Sequence, residues 1–128
     1  MVELESADAR MLVELGFIAL NYGLNDSADA IFSGVQAARP KQEAGFIGGA
    51  LVQLARGEVE SAVKMLRSLP PTDAARTFLA LALMKNGERD AAHEILTDIV
   101  NTAHEAPYAN LARALLESYD QQQHPPIF

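Results

Sequence analysis

The sequence predicts an all-α fold of about seven helices arranged as antiparallel pairs, and three observations carry that expectation. Breakers at Gly23, Pro40, Gly57, Pro70-Pro71, Gly87 and Pro107 cut the chain into pieces of helix length. Between them Ala, Leu, Glu and Arg predominate with few β-branched runs, a composition that loses little side-chain entropy in a helix. The punctuation also recurs: Gly23 to Ala28, Gly57 to Ala62 and Gly87 to Ala92 each set a Gly five residues before an Ala, with apolar residues four and seven positions beyond it (Phe32 and Val35, Leu66 and Leu69, Leu96 and Ile99). Each Gly ends one helix, the polar turn starts the next, and the Ala lets the two approach closely.

The first helix is expected over residues 7–22. Between Arg10 and Asn21 its only charge is Glu14, so it reads as apolar all round, with no evident solvent face. The second, 25–38, begins after Gly23, ends before Pro40, and carries Asp26 and Asp29 on a charged side. The third, 41–56, is again apolar around its circumference through Phe46, Ile47, Ala50, Leu51, Val52 and Leu54. The fourth, 58–69, is amphipathic, with Glu58, Glu60, Lys64 and Arg67, and stops at the paired prolines. The fifth, 72–86, holds the apolar run from Phe78 to Met84, and the sixth, 88–103, shows Glu88, Arg89, Asp90, Glu94 and Asp98 to solvent. The seventh, 107–120, opens with Pro107, tolerated in a first turn because the missing N–H has no partner there. No strand is needed. Residues 1–120 then form one helical domain, and 121–128, with Pro125-Pro126, form a flexible tail whose terminal Ile127 and Phe128 either fray or dock in an apolar site.

Composition excludes several functions. With no Cys in 128 residues there is no thiol nucleophile, thiolate zinc site or iron–sulfur cluster, and no dependence on an oxidising compartment. A net charge of −7 has the wrong sign for neutralising phosphates, so nucleic acid is not an expected partner. The charge is uneven: residues 1–38 hold six acids and only Arg10, residues 39–85 hold seven bases and four acids, and residues 86–128 hold seven acids and two bases. That is either a solvated surface or electrostatic matching to a partner or a second copy. Glu3, Glu5 and Asp8 stand where an export signal carries positive charge, and no apolar stretch reaches the roughly 18 residues of a membrane span, so a soluble cytoplasmic protein is expected.

No catalytic constellation is legible. Gly45-Phe46-Ile47-Gly48-Gly49 lacks the spacing of a phosphate-binding loop and follows no strand. His93 and His104 are eleven residues apart, about 16 Å of helical rise, too far to chelate one ion together. Glu94 and Asp98 at i, i+4 have the spacing of metal ligands, but also that of a solvated outer face. No Ser occupies a nucleophile elbow. The sequence points to a non-enzyme without cofactors or metal.

The successive glycines are 34 and 30 residues apart, and the sequence resembles the tetratricopeptide repeat, a helix–turn–helix unit of that period. Leu15-Gly16, Ala19, Gly23, Ala28, Phe32 and Pro40 fall at the family's intervals, with Gly49-Ala50 and Leu79-Ala80 answering Leu15-Gly16 in the later units. The resemblance covers about residues 9–104 and implies an α-solenoid of three helix pairs capped by the last helix. It also implies that the first helix of each pair lines a concave face, through Arg10, Val13, Phe17 and Leu20, then Ala44, Ile47, Leu51 and Leu54, then Ala74, Thr77, Leu81 and Met84. Family members that clamp a C-terminal carboxylate use Lys and Asn at such positions, here occupied by Val13, Phe17, Ile47 and Leu51, so the expected groove is apolar and suits the hydrophobic face of a partner helix. The alternative is that these residues pack on one another or on the last helix. The stretch from Leu12 to Leu24, with Ala28-Asp-Ala-Ile-Phe32 and Ala38-Arg-Pro40, is similar to the small Hrp-type and Ysc-type chaperones of bacterial type III secretion. That resemblance implies a cytoplasmic protein that holds an apolar helix of an export substrate or apparatus subunit. A self-assembling scaffold or adaptor whose groove accepts another copy, as a homodimer, or binds a different protein complex is the other reading.

Overall fold

The computed structural model describes residues 6–123, and among these it contains seven α-helices and no strand. They are α1 (Ser6–Asn21), α2 (Asn25–Ala38), α3 (Ala44–Ala55), α4 (Val59–Arg67), α5 (Asp73–Lys85), α6 (Arg89–Thr102) and α7 (Ala106–Gln123). The expected docking of Ile127 and Phe128 concerns positions outside the described residues.

The three Gly turns are one structure made three times. Gly23, Gly57 and Gly87 take φ of 75°, 80° and 81°, the left-handed region that L side chains rarely enter. At each, the Gly N–H donates to the carbonyl three residues back (Leu20, Leu54, Met84), and the next N–H donates to the carbonyl five back: Leu24 to Ala19, Glu58 to Gln53 and Glu88 to Leu83, at 2.8–2.9 Å. This double closure satisfies the orphan carbonyls of the ending helix. Leu24, Glu58 and Glu88 then hold ψ of 66°, 63° and 63° and accept the first bonds of the next helix, from Ala28, Ala62 and Ala92. All three alanines are fully buried, as close helix–helix contact requires.

A Cβ built at Gly57 meets no atom within 4 Å, so Gly57→Ala isolates backbone strain from packing. It should lower stability by about 1–2 kcal/mol in urea denaturation, the penalty of a left-handed Ala. Gly34, inside α2 with equally open space and an ordinary helical backbone, is the control. Gly34→Ala should raise stability by about 0.5–1 kcal/mol.

The described residues divide into two compact units between Leu69 and Pro70. In the first, α2 packs on both α1 and α3, and α4 packs on α3. Phe32 of α2 is fully buried at the centre, with its ring wedged against glycines of two helices. A Cβ on Gly16 of α1 would lie 2.6 Å from the ring, and one on Gly48 of α3 would collide with it outright. Val35, Ala50, Val52, Ala62 and Leu66 extend this core. The Gln36 amide donates to the Gly45 carbonyl at 3.0 Å, and Arg56 at the end of α3 donates to both Asp26 and Asp29 at the start of α2. Hydrogen bonds to Asp26 and then Asp29 hold that guanidinium still more firmly protonated than usual.

In the second unit α5 packs on α6, and α7 packs on both. Leu83, Leu96 and Ile99 are its largest fully buried aliphatics. Thr72 caps α5 through a 3.1 Å bond from the Ala75 N–H. Tyr119 of α7 is buried between α6 side chains: the Arg89 guanidinium lies 4.8 Å from its ring centroid and the His93 ring 5.0 Å away.

Candidate protein-binding surface

The apolar residues expected to face a partner fall into three groups. Phe17 and Leu20 of α1, Leu51 and Leu54 of α3, and Leu81 and Met84 of α5 are all half-buried. They occupy equivalent positions in the three helix pairs, 34 and 30 residues apart, so the same degree of exposure recurs with the repeat. Val13 is half-buried as well and, with Phe17 and Leu20, packs against the cluster of Ala19, Ala28, Phe32 and Val52. Phe17 meets Phe32 edge-on with ring centroids 5.1 Å apart, which makes it as much a support of the core as a surface group.

Ile47 and Thr77 depart from the expectation, since both are buried and offer no surface. At Ile47, α3 has neighbours in α1, α2 and α4, which cover that side of the helix. The Thr77 hydroxyl is satisfied locally by a 2.7 Å bond to the Asp73 carbonyl one turn earlier. Ala74 is buried too, whereas Ala44 and Arg10 stay accessible and line, with Ala9, Val13, Val35 and Gln42, a cleft of about 270 Å³ in the first unit.

Sequence reasoning missed the largest exposed apolar feature. Read as apolar all round, α1 in fact turns Ala9, Gly16 and Ala19 inward and leaves Met11, Leu15, Ile18 and Tyr22 in water. The available signal was residue size: small residues gathered on one face mark the side where another helix comes close.

The second unit shows what its polar residues do. Asp73, buried at the start of α5, accepts at Oδ2 from the backbone N–H groups of His104 (2.8 Å) and Glu105 (3.1 Å) and at Oδ1 from Arg76 (3.3 Å). It thus caps the turn into α7 from 31 residues away. Burial pushes its carboxyl upward, but the His104 and Glu105 N–H bonds and Arg76 together outweigh that, and the net shift is downward from the usual carboxylate range. A carboxyl depressed on folding contributes stability above its unfolded pKa and loses it as pH falls through the folded one. Asp73→Asn should therefore lower Tm at neutral pH, and the gap from wild type should shrink on acidification below about pH 4. A gap independent of pH would contradict the ionised cap.

Asp98, half of the i, i+4 carboxylate pair, bonds Arg76 at 2.6 Å. His104 sits in the turn beyond α6, away from His93. Among the described residues no group of three His, Cys, Asp or Glu side chains could hold a metal ion, and no helix is long and apolar enough to cross a membrane.

The fold defines an all-helical, repeat-like protein. No protein-family model, curated protein or solved structure matches the chain significantly.

Proposed function

We propose that this chain is a non-enzymatic protein-binding module that holds an apolar helix of a partner protein. The observation that carries the reading is the recurrence of half-buried large apolar side chains at equivalent positions of the three pairs: Phe17, Leu51 and Leu81, and Leu20, Leu54 and Met84. A core residue withdraws fully from water and a surface residue is normally polar. Large apolar groups kept half-exposed at one register of a repeat are ready to lose their remaining area to a partner. The resemblance of residues 12–40 to small type III secretion chaperones supports a specific form. In it the module works in the bacterial cytoplasm and covers the aggregation-prone helix of an export substrate or apparatus subunit before export.

The test titrates the full chain into a fluorescein-labelled amphipathic helical peptide and into the same peptide with its apolar face scrambled. Saturable binding to the first alone is expected. Leu51→Asp should weaken it by about tenfold or more at unchanged helicity, because the carboxylate must be desolvated against apolar surface. Equal binding of both peptides, or of neither, would sink the reading.

A further inference from the structure

The turn that closes α5 has the backbone of the two Gly turns before it but not their chemistry. The residue before the left-handed Gly is Tyr22 in the first turn, Arg56 in the second and Asn86 in the third. Asn86-Gly87 is the one Asn-Gly pair in the sequence; Asn21, Asn25, Asn101 and Asn110 all belong to helices and precede Tyr, Asp, Thr and Leu. The side-chain amide carbon of any Asn stands one bond short of a five-membered ring with the next backbone nitrogen. Only a following Gly leaves that nitrogen with no neighbouring side chain to hinder the approach.

We propose that Asn86 is a site of spontaneous conversion to isoaspartate, and that the reaction makes opening of the α5–α6 turn irreversible. The Gly87 nitrogen gives its proton to solvent and attacks the Asn86 Cγ; the Cγ–Nδ2 bond breaks, ammonia leaves, and a cyclic imide remains. Water then adds to one of the two imide carbonyls. Opening the bond from Cγ to nitrogen yields aspartate, and opening the bond from the main-chain carbonyl carbon to nitrogen routes the backbone through Cβ and Cγ as isoaspartate. In sum, an amide and water become a carboxylic acid and ammonia, with no oxidant or cofactor.

The folded turn holds the reaction off in three ways. Asn86 keeps a ψ of 2°, which turns its Cβ away from the Gly87 nitrogen, so ring closure requires the peptide to rotate. The Gly87 N–H donates to the Met84 carbonyl at 3.2 Å and the Glu88 N–H to the Leu83 carbonyl at 2.9 Å, and that rotation breaks them. The Asn86 Nδ2 donates to Glu88 Oε2 at 2.9 Å, which holds the amide toward Glu88. The reaction therefore takes place from the open turn. Its products cannot close again as before. The imide has no N–H at residue 87 to offer Met84, and isoaspartate adds one main-chain atom between the α5 carbonyls and the N–H groups that meet them. Both acids set a carboxylate where a donor faced Glu88. The turn leads directly into the buried Ala92, Leu96 and Ile99 of α6, so its loss loosens that packing.

Ageing the full chain for weeks at body temperature and mildly alkaline pH tests both parts of the proposal. Peptide mass spectrometry should find Asn86 converted ahead of Asn21, Asn25, Asn101 and Asn110, and labelling by an isoaspartate-specific methyltransferase should show isoaspartate as the main product. In guanidinium chloride the conversion should run about tenfold or more faster, because the hydrogen bonds of the turn no longer hold it closed. Ion exchange separates the aged protein by its added negative charge, and that fraction should melt about 4 °C or more below the fresh protein. Asn86→Asp carries the charge without the added main-chain atom and should melt between the two. Conversion of another Asn first, aspartate as the main product, an equal rate in the folded and denatured chain, or an aged fraction that melts with the fresh protein or with Asn86→Asp each overturns the proposal. None of these readouts depends on partner binding.

Discussion

Phe32→Ala is expected to cost about 3–5 kcal/mol, the range for truncating a fully buried Phe. That is a large share of the 5–15 kcal/mol typical of a folded domain, and urea denaturation should show the unit of α1 to α4 unfolding early or already unfolded. The expectation rests on where the ring lies: it has no solvent exposure, meets Phe17 edge-on, and fills the gap left by Gly16 on one side and Gly48 on the other. Those glycines have no side chains with which to close the hole, so little of the cavity can collapse. The same geometry predicts coupling. In the wild-type background Gly48→Ala sets a methyl against the ring and should destabilise by about 1–3 kcal/mol. With Phe32→Ala already present, the added methyl meets no ring and should become neutral or stabilising. Additive losses would place the ring elsewhere.

Leu96→Asp should have an effect at least as large, exceeding about 4 kcal/mol, since it puts an unpaired carboxylate at a site with no solvent access. Leu96 is the residue four positions past Ala92 in the third pair, equivalent to Phe32 in the first. Leu81→Asp in the same unit is the comparison: Leu81 is half-buried, and its new charge can turn to water. Far-UV circular dichroism melts should show Leu96→Asp losing helix at room temperature and Leu81→Asp melting cooperatively at a modestly lower Tm. If the two variants melt alike, Leu81 belongs to the core and loses its place among the partner-facing residues.

Local chemistry made most of the fold legible. A Gly is needed wherever a helix closes in the left-handed region, and that need is met within the few residues around Gly23, Gly57 and Gly87. The helices accordingly lie within a few residues of their expected bounds. The largest shifts are three residues each: α3 begins at Ala44 rather than residue 41, because Pro40 and the three residues after it form the turn, and α7 runs to Gln123, so residues 121–123 belong to the helix rather than to the expected tail. Ala28, Ala62 and Ala92 were legible for a related reason: a small residue fixed relative to a turn has one role, to let two helices touch.

The burial of the side chains proposed to face a partner was legible only in part. Phe17, Leu51 and Leu81 with Leu20, Leu54 and Met84 are half-buried, whereas Ile47 and Thr77, at the same kind of position, are buried. The register assigns a direction on the helix, but how far a side chain in that direction is covered depends on what packs beside that particular position, which spacing along the chain does not carry.

By itself, then, the sequence determined the helices, their turns and the small contacts beside those turns, because each rests on interactions reaching no more than about one helical turn along the chain. Tertiary structure alone decided which face of α1 goes inward. An amphipathic helix announces its buried side by polarity, and α1, with Glu14 its only charge between Arg10 and Asn21, has almost no polarity to read. Close packing against Phe32 chose the side of Gly16 and Ala19 and left Met11, Leu15, Ile18 and Tyr22 bare. Only the tertiary structure, likewise, could bring Asp73 to the backbone of His104 and Glu105, for a cap supplied from 31 residues away leaves no local trace in the sequence.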